Sequence, residues 1–214
     1  MDEMLITDQV FDDFCRLIYE QAGIFLTAKK RSLVSARLSK RMRALGLADY
    51  GEYYRLVRDD PTKNELVQLL DAIATNVTHF FREPRHFDLL GDLLEQWENE
   101  GQTRFRIWSA ACSTGEEPFS IAMTARARMQ RTADVKILAT DISTRVLESA
   151  KVGEYTRKRV DQVPADMLSR YFDRKTTKGE AAYRVRQEVK SMVSYARLNL
   201  ATPPFPMRGP LDVI

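Results

Sequence analysis

Two short runs of this chain carry residue types that could hold a nucleoside. The first is Arg106-Ile107-Trp108-Ser109-Ala110-Ala111-Cys112-Ser113-Thr114-Gly115-Glu116-Glu117-Pro118. The second, Ile137-Leu138-Ala139-Thr140-Asp141-Ile142, places Asp141 24 residues after Glu117. The first reads as an apolar strand that runs into a loop of small residues and then a helix, which lets a ligand approach the backbone where it turns. The second reads as a strand ending in a carboxylate. Neighbouring parallel strands of this kind suit adenosine, because the acid accepts hydrogen bonds from both ribose hydroxyls. A nucleoside cofactor is the first expectation.

The elements that position these runs must come from a chain of 214 residues, 44% hydrophobic and 29% charged. That is enough for a real core and for two units. No apolar run approaches the roughly 18 residues of a membrane span, and the start Met1-Asp2-Glu3-Met4 is acidic where a signal peptide is basic. With Cys15 and Cys112 as the two cysteines and His79 and His86 as the two histidines, no disulfide framework or metal-type spacing is present. These features predict a cytoplasmic protein without a metal. The net charge of +3 does not by itself imply nucleic acid.

The first ninety residues read as helices. Val10, Phe11, Phe14, Leu17 and Ile18 recur at helical spacing between a cap at Asp8 and a stop at Gly23. Val34, Leu38, Met42 and Leu45 make the apolar stripe of a second helix over Ala28 to Leu45, closed by Gly46. Between Lys29 and Arg43 there are seven Lys or Arg and no acid, and Lys30, Arg37 and Arg41 fall on one line beside the stripe. Such a face suits an acidic partner, or is simply solvated. Asp49 to Val57 and Lys63 to Ala74 predict two further helices, with Thr62 available as a cap.

The segment Ile73 to Pro84 packs Asn76, Thr78, His79, Phe80, Phe81 and Arg82 into a short span, more than a passive connector needs. Its bland alternative has the two Phe plug the seam between domains while Asn76 and Thr78 cap a helix. Beyond it, the helix Phe87 to Trp97, strand Phe105 to Ala110, helix Glu117 to Arg131, strand Lys136 to Thr140 and a helix from Ser143 follow in an order that predicts a doubly wound parallel sheet. Tyr183 to Val189 and Met192 to Leu198 alternate around a tight connection and predict an antiparallel hairpin. Pro210 to Ile214 reads as the start of another parallel strand.

In order along the chain, Thr75-Asn76-Val77-Thr78-His79-Phe80-Phe81-Arg82-Glu83, Trp108 to Pro118, Ala139-Thr140-Asp141-Ile142-Ser143 and Gly153-Glu154-Tyr155 resemble the CheR-type chemotaxis receptor methyltransferases. The resemblance covers nearly the whole chain. It implies an α/β protein: an N-terminal helical bundle over residues 1–72, a linker over 73–90 carrying an active-site motif, and an S-adenosylmethionine-binding, Rossmann-like methyltransferase domain over 91–214. A small β subdomain at about 165–197 is inserted in that domain. It further implies that Asn76, Thr78, Arg82, Glu117, Asp141, Asn199 and Leu200 sit at the cofactor. The family pattern continues past Ile214 with a Cys-Arg-Asn motif and a nearby Tyr, so the chain is expected to be part of a longer protein. The implied substrates are glutamates on chemoreceptor cytoplasmic domains, with S-adenosylhomocysteine as product.

A free Glu has a pKa of about 4.3, so the nucleophile is already ionised at pH 7 and no general base is required; the scarcity of histidine is no objection. The rate must come from aligning carboxylate, methyl carbon and sulfur and from excluding water, effects that reach about 7–11 kcal/mol for well-oriented reactants. Arg82 is the expected orienter and catalytic residue, because a guanidinium grips a carboxylate with two parallel hydrogen bonds. That carboxylate is either the cofactor's or the substrate's; a salt bridge to Glu83 is the structural alternative. Glu116 could merely favour the helix N-terminus, Asp141 could be a capping acid, and Cys112 is expected to pack rather than react. His79 and His86 are expected to be structural.

Thr202-Pro203-Pro204-Phe205 resembles the motif with which nucleic-acid methyltransferases grip an exocyclic amine, but its first position is a hydroxyl where an amide or carboxylate is needed. The basic helix also lacks interleaved aromatics to stack bases, so no nucleic-acid partner is expected. A non-catalytic adaptor that binds cofactor or receptor is the rival from another class. On the methyltransferase reading, Lys30, Arg37 and Arg41 dock on the receptor's acidic surface; in some members of the family it resembles, the β subdomain instead takes a receptor C-terminal peptide as an added strand, an alternative that the residues between Arg174 and Arg197 leave open.

Overall fold

The computed structural model describes residues 6–130, 133–177 and 180–214. The acidic start at Met1 to Met4 and the expected helix end at Arg131 lie outside the described residues. The chain divides into two units: residues up to Thr75 with Ile142–Thr144 and Asn199–Phe205, and Asn76–Asp141 with Arg145–Leu198 and Pro206–Ile214.

In the first unit α1 (Asp8–Ala22) is capped by Thr7, whose hydroxyl accepts from the Val10 N–H. Thr7 takes the role expected of Asp8, which instead sits in the first turn and pairs with Arg31. A short 3-10 turn, Ala28–Lys30, leads into α2 (Arg31–Leu45). Gly23 and Gly46 close these two helices at φ 66° and 71°, a left-handed conformation that glycine adopts without steric cost. Asp49 caps α3 (Tyr50–Asp59). At the start of α4 (Asn64–Ile73) the Thr62 hydroxyl accepts from the Asn64 N–H at 3.3 Å, as expected of a cap, and the Asp60 carboxylate joins it by accepting from the N–H groups of Thr62 and Glu65.

The core of this unit joins Phe11, Phe14 and Ile18 to Val34, Leu38 and Met42, with Tyr53, Val57, Leu69 and Ile73 from the later helices. Leu38 and Met42 have no exposed surface, and burying each contributes about 1.5–3 kcal/mol. Leu45, expected in the same stripe, is exposed. Distant segments complete the unit. Ile142 packs on the helical core, Thr144 donates to Asp71 Oδ2 at 3.0 Å, and Asn199 Nδ2 donates to the Gln21 carbonyl at 2.6 Å.

In the second unit α5 (Pro84–Asn99), with Pro84 in its first turn, precedes β1 (Arg104–Ala110), α6 (Glu116–Arg128), β2 (Asp134–Asp141) and α7 (Thr144–Val152). β1 and β2 run parallel with Ile107 opposite Ile137. On the other edge of β1, Val213 bridges to Ile107, also in parallel. Phe105, Ile107, Ile137 and Ala139 pack with Phe119, Ala122 and Met123 of α6 and with Leu94 of α5.

The expected hairpin of 183–189 with 192–198 is not formed. β3 (Glu154–Thr156), β4 (Phe172–Thr177) and β5 (Glu180–Val185) make the small antiparallel sheet, in the order β3-β5-β4, with α8 (Ala165–Tyr171) before β4. After the short α9 (Gln187–Lys190), β6 (Val193–Arg197) joins β2 in parallel, with Val193 opposite Ile137. The second alternating run therefore belongs to the main sheet, whose order is Val213 segment, β1, β2, β6. The small sheet falls within 154–185, earlier than the expected 165–197. Among the described residues no helix is long and apolar enough to cross a membrane.

Candidate cofactor site

The loop between β1 and α6 carries three left-handed residues in five: Ala111 at φ 62°, Ser113 at 50° and Gly115 at 95°. Small side chains make this contour possible. A Cβ on Gly115 would lie 2.9 Å from Ala150 Cβ and 3.0 Å from the Tyr155 hydroxyl oxygen, so only glycine fits there. The loop is fixed to the end of β2, since the Cys112 N–H donates to the Thr140 carbonyl and the Ser113 N–H to Asp141 Oδ2, both at 2.8 Å. Trp108 Nε1 donates to Thr140 Oγ1 at 2.9 Å from the neighbouring strand. Two backbone stretches that the sequence reading paired are thus held edge to edge.

A third piece joins them. Ser113 Oγ donates to the Asn76 carbonyl at 3.2 Å, while Asn76 Nδ2 is buried with no hydrogen-bond partner. An unpaired buried donor costs free energy that a ligand acceptor would recover. Glu117 is exposed at the start of α6, and its Oε1 accepts from Ser109 Oγ at 2.6 Å. Its neighbour Glu116 is fully buried, accepts from Thr114 Oγ1 at 2.7 Å and pairs with Arg159. More than the helix dipole therefore acts on Glu116. Arg159 and Tyr155 escaped the sequence reading as contributors; one lies in a run of three basic residues that reads as solvated, the other behind a glycine.

Arg82 is exposed between two left-handed residues, Phe81 at φ 52° and Glu83 at 59°. The turn is anchored on both sides. Phe80, fully buried, meets Tyr155 and Phe172 edge-on with centroids 4.9 and 5.5 Å apart, and the Phe81 N–H donates to Ser120 Oγ at 3.0 Å. Both Phe pack with residues of the second unit, Phe81 against Phe87. Arg82 donates to the Val77 carbonyl at 3.4 Å and makes no ion pair to Glu83 among the described residues. Thr78 is half-buried in the same segment, and His79 Nδ1, when it carries the ring proton, donates to the Phe80 carbonyl at 3.1 Å.

Cys112 is buried in the loop. Burial first, then the charges of Asp141 and Glu117, push its thiol up to about 12, so it stays protonated and packs.

Residues 76–214 match the family profile described as "CheR methyltransferase, SAM binding domain", and residues 9–74 match "CheR methyltransferase, all-alpha domain". The chain belongs to the CheR methyltransferase family. It is 40% identical over 214 residues to the chemotaxis protein methyltransferase of Escherichia coli K12, covering all of this chain and 73% of that protein. Chemotaxis protein methyltransferase 2 of Pseudomonas aeruginosa is 38% identical over 99% of this chain and 75% of its own length. The chemotaxis protein methyltransferase of Borreliella burgdorferi is 35% identical, over 98% and 76% respectively.

S-adenosylmethionine fits the loop by its chemistry. A small-residue turn admits a flat nucleoside, an acid stands at the adjacent strand end, and the orphaned Asn76 amide offers a donor. Of the residues expected at the cofactor, Asn76, Thr78, Arg82, Glu117 and Asp141 lie in the second unit, while Asn199 and Leu200 belong to the first. The Asn199 amide is engaged there, Nδ2 on the Gln21 carbonyl and Oδ1 on the Ala201 N–H. Leu200 is exposed.

The basic line on α2 is not the free face the sequence suggested. Arg37 donates to the carbonyls of Ile73 and Ala74 at 2.5 and 3.3 Å, closing the end of α4. Arg41 forks onto buried Glu65 at 2.9 and 2.6 Å, beside the Tyr53 hydroxyl, which donates to the same carboxylate. Both cations hold the helical unit together. Lys30 alone of the three is exposed.

Proposed function

We propose that this chain methylates glutamate side chains on the cytoplasmic domains of methyl-accepting chemotaxis receptors, acting in the cytoplasm and using S-adenosylmethionine. Its membership of the CheR methyltransferase family supports the reaction class, and the relatives' name, chemotaxis protein methyltransferase, supports the setting. The observation that carries the reading is the loop Ala111–Gly115 tied to Asp141 beside an orphaned Asn76 amide.

In this reading Asp141 accepts from the ribose hydroxyls, Asn76 donates to the bound molecule, and Thr78 and Glu117 line it. S-adenosylmethionine supplies a methyl group on a sulfonium, an electrophile that needs no further activation. A glutamate oxygen forms the new bond to the methyl carbon as the carbon–sulfur bond breaks, and its electron pair stays on sulfur. The products are a methyl ester and S-adenosylhomocysteine; no proton moves. Arg82, exposed at the tip of a rigid turn, orients a carboxylate with its guanidinium fork. Lys30 contributes to docking, and a receptor C-terminal peptide adds along an edge of the small sheet.

Calorimetric titration with S-adenosylhomocysteine, beside Asp141→Ala, tests the site. Methyl transfer to a receptor cytoplasmic fragment, with and without its acceptor glutamates changed to glutamine, tests the reaction. Binding lost in Asp141→Ala and transfer confined to the glutamates is the expected result. Binding without transfer, in this chain and in a longer form, would replace the enzyme by a cofactor-binding adaptor.

A further inference from the structure

Three groups converge on Thr114, and two of them come from the stretch that enters the small sheet. Thr114 Oγ1 donates to Glu116 Oε2 and accepts from Arg159 Nη2, both at 2.7 Å, while its carbonyl accepts from the Tyr155 hydroxyl at 2.7 Å. Arg159 also pairs with Glu116 Oε1. Tyr155 lies on β3, which is hydrogen-bonded to β5, and Arg159 in the 3-10 turn that follows.

The loop needs such restraint. Ala111 and Ser113 hold left-handed backbone without being glycine, and conformations of this kind persist only where the surroundings over-determine them. Hydrogen bonds tie one side of the loop to Thr140, Asp141 and Asn76; among the described residues the other side is hydrogen-bonded through Thr114. Glu116 has no exposed side-chain surface; its Oε2 accepts from Thr114, while its Oε1 has no hydrogen bond and relies on the ion pair with Arg159, so the buried carboxylate depends on that cation. A helix-start acid that served the dipole alone would need neither Arg159 nor burial.

We propose that Glu116 and Arg159 are positioning residues: through Thr114 they set the β1–α6 loop to receive the nucleoside, so cofactor affinity depends on a cation supplied from beside the small sheet. This rests on the reading of that loop as the S-adenosylmethionine site. Glu117, next to the pair, is aimed by the same helix start.

The test is steady-state kinetics with a receptor fragment, together with thermal unfolding, on the parent, Arg159→Lys, Arg159→Met and the double variant Glu116→Gln/Arg159→Met. Arg159→Met is expected to raise KM for S-adenosylmethionine by about 10-fold or more, as losing a charge-assisted hydrogen bond in a binding loop does, and to leave the receptor KM within about twofold. Arg159→Lys recovers part of the loss, because one ammonium, like Nη2 of Arg159, can meet both Thr114 Oγ1 and Glu116 Oε1, but on a shorter side chain without the planar guanidinium. The double variant removes both charges, so it regains thermal stability but not cofactor affinity, and it carries the test if Arg159→Met does not fold. A cofactor KM unchanged in Arg159→Met, or restored together with stability in the double variant, would overturn the inference and leave the site reading standing. A folded parent that binds no S-adenosylhomocysteine would overturn the site reading itself.

Discussion

The Ser113 backbone N–H donates to Asp141 Oδ2 at 2.8 Å, which locks the loop after β1 to the acid that ends β2. Asp141 therefore serves the protein's own backbone as well as any ribose. Asp141→Ala is expected to weaken S-adenosylhomocysteine binding by about 10–100-fold, the size of a lost charged hydrogen bond. Asp141→Asn, which keeps an acceptor for Ser113 but places an NH2 where the ribose donates, should lose affinity with a smaller loss of stability. Calorimetry and denaturant unfolding on both variants separate the two roles.

Gly115→Ala puts a Cβ at φ 95°, 2.9 Å from Ala150 Cβ. The left-handed cost alone is about 1–2 kcal/mol, and the contact adds to it because Ala150 has no flexible end to move. A lower unfolding midpoint with weakened cofactor binding is expected; parent-like behaviour in both would mean that the loop relaxes freely.

On α2 the basic residues divide by task. Arg41→Ala strands the buried carboxylate of Glu65, and breaking such a pair costs about 3–5 kcal/mol when fully buried. Arg41 is partly exposed, so a loss of about 2 kcal/mol is expected from urea unfolding. Lys30→Glu changes only a surface charge, with stability within about 0.5 kcal/mol of the parent. It should lower kcat/KM for the receptor fragment, with the defect deepening at low salt, where exposed charges act further. An unchanged receptor kcat/KM would remove Lys30 from the docking face.

The Cys112 thiol is raised from 9.0 to about 12 by burial. In the unfolded chain it ionises near 9, so between pH 9 and 12 the folded state holds more protons and stability falls as pH rises. Cys112→Ala should show a shallower fall of the unfolding midpoint across that window. The parent should react slowly with a thiol reagent at pH 8, at the rate of global opening. Rapid labelling of folded Cys112 would contradict its burial.

The helical unit was legible because Val34, Leu38 and Met42 repeat at 3.6 residues and because Gly23 and Gly46 punctuate the helices. The parallel pair β1 and β2 was legible for a similar reason: each apolar run ends in a loop or an acid. The hairpin was misread because alternation in Val193 to Arg197 marks a half-buried strand without saying which sheet it joins; register and neighbour are set by tertiary packing. The internal partners of Arg37 and Arg41 were not legible because a charge run looks the same whether its cations face water or close a helix end and a buried glutamate. Arg159 was invisible, since its partner Glu116 lies 43 residues away and no local period connects them. The roles proposed for Asn76, Thr78, Glu117 and Asp141 came from motif order, and geometry adds the orphaned amide that motif order cannot supply.

The Asn199 amide that closes α1 on the Gln21 carbonyl has a practical consequence for anyone who would cut this protein into modules. A fragment made of the first 75 residues leaves behind Ile142, Thr144 and Asn199, and with them the partner of Asp71 and the cover over Gly23, which packs against Ala201. A chimera that exchanges the helical domain between relatives must carry these three distant passengers along, or it will inherit a frayed helix and an exposed seam. What looks like a single cut in the gene falls, in the folded protein, at five places along the chain.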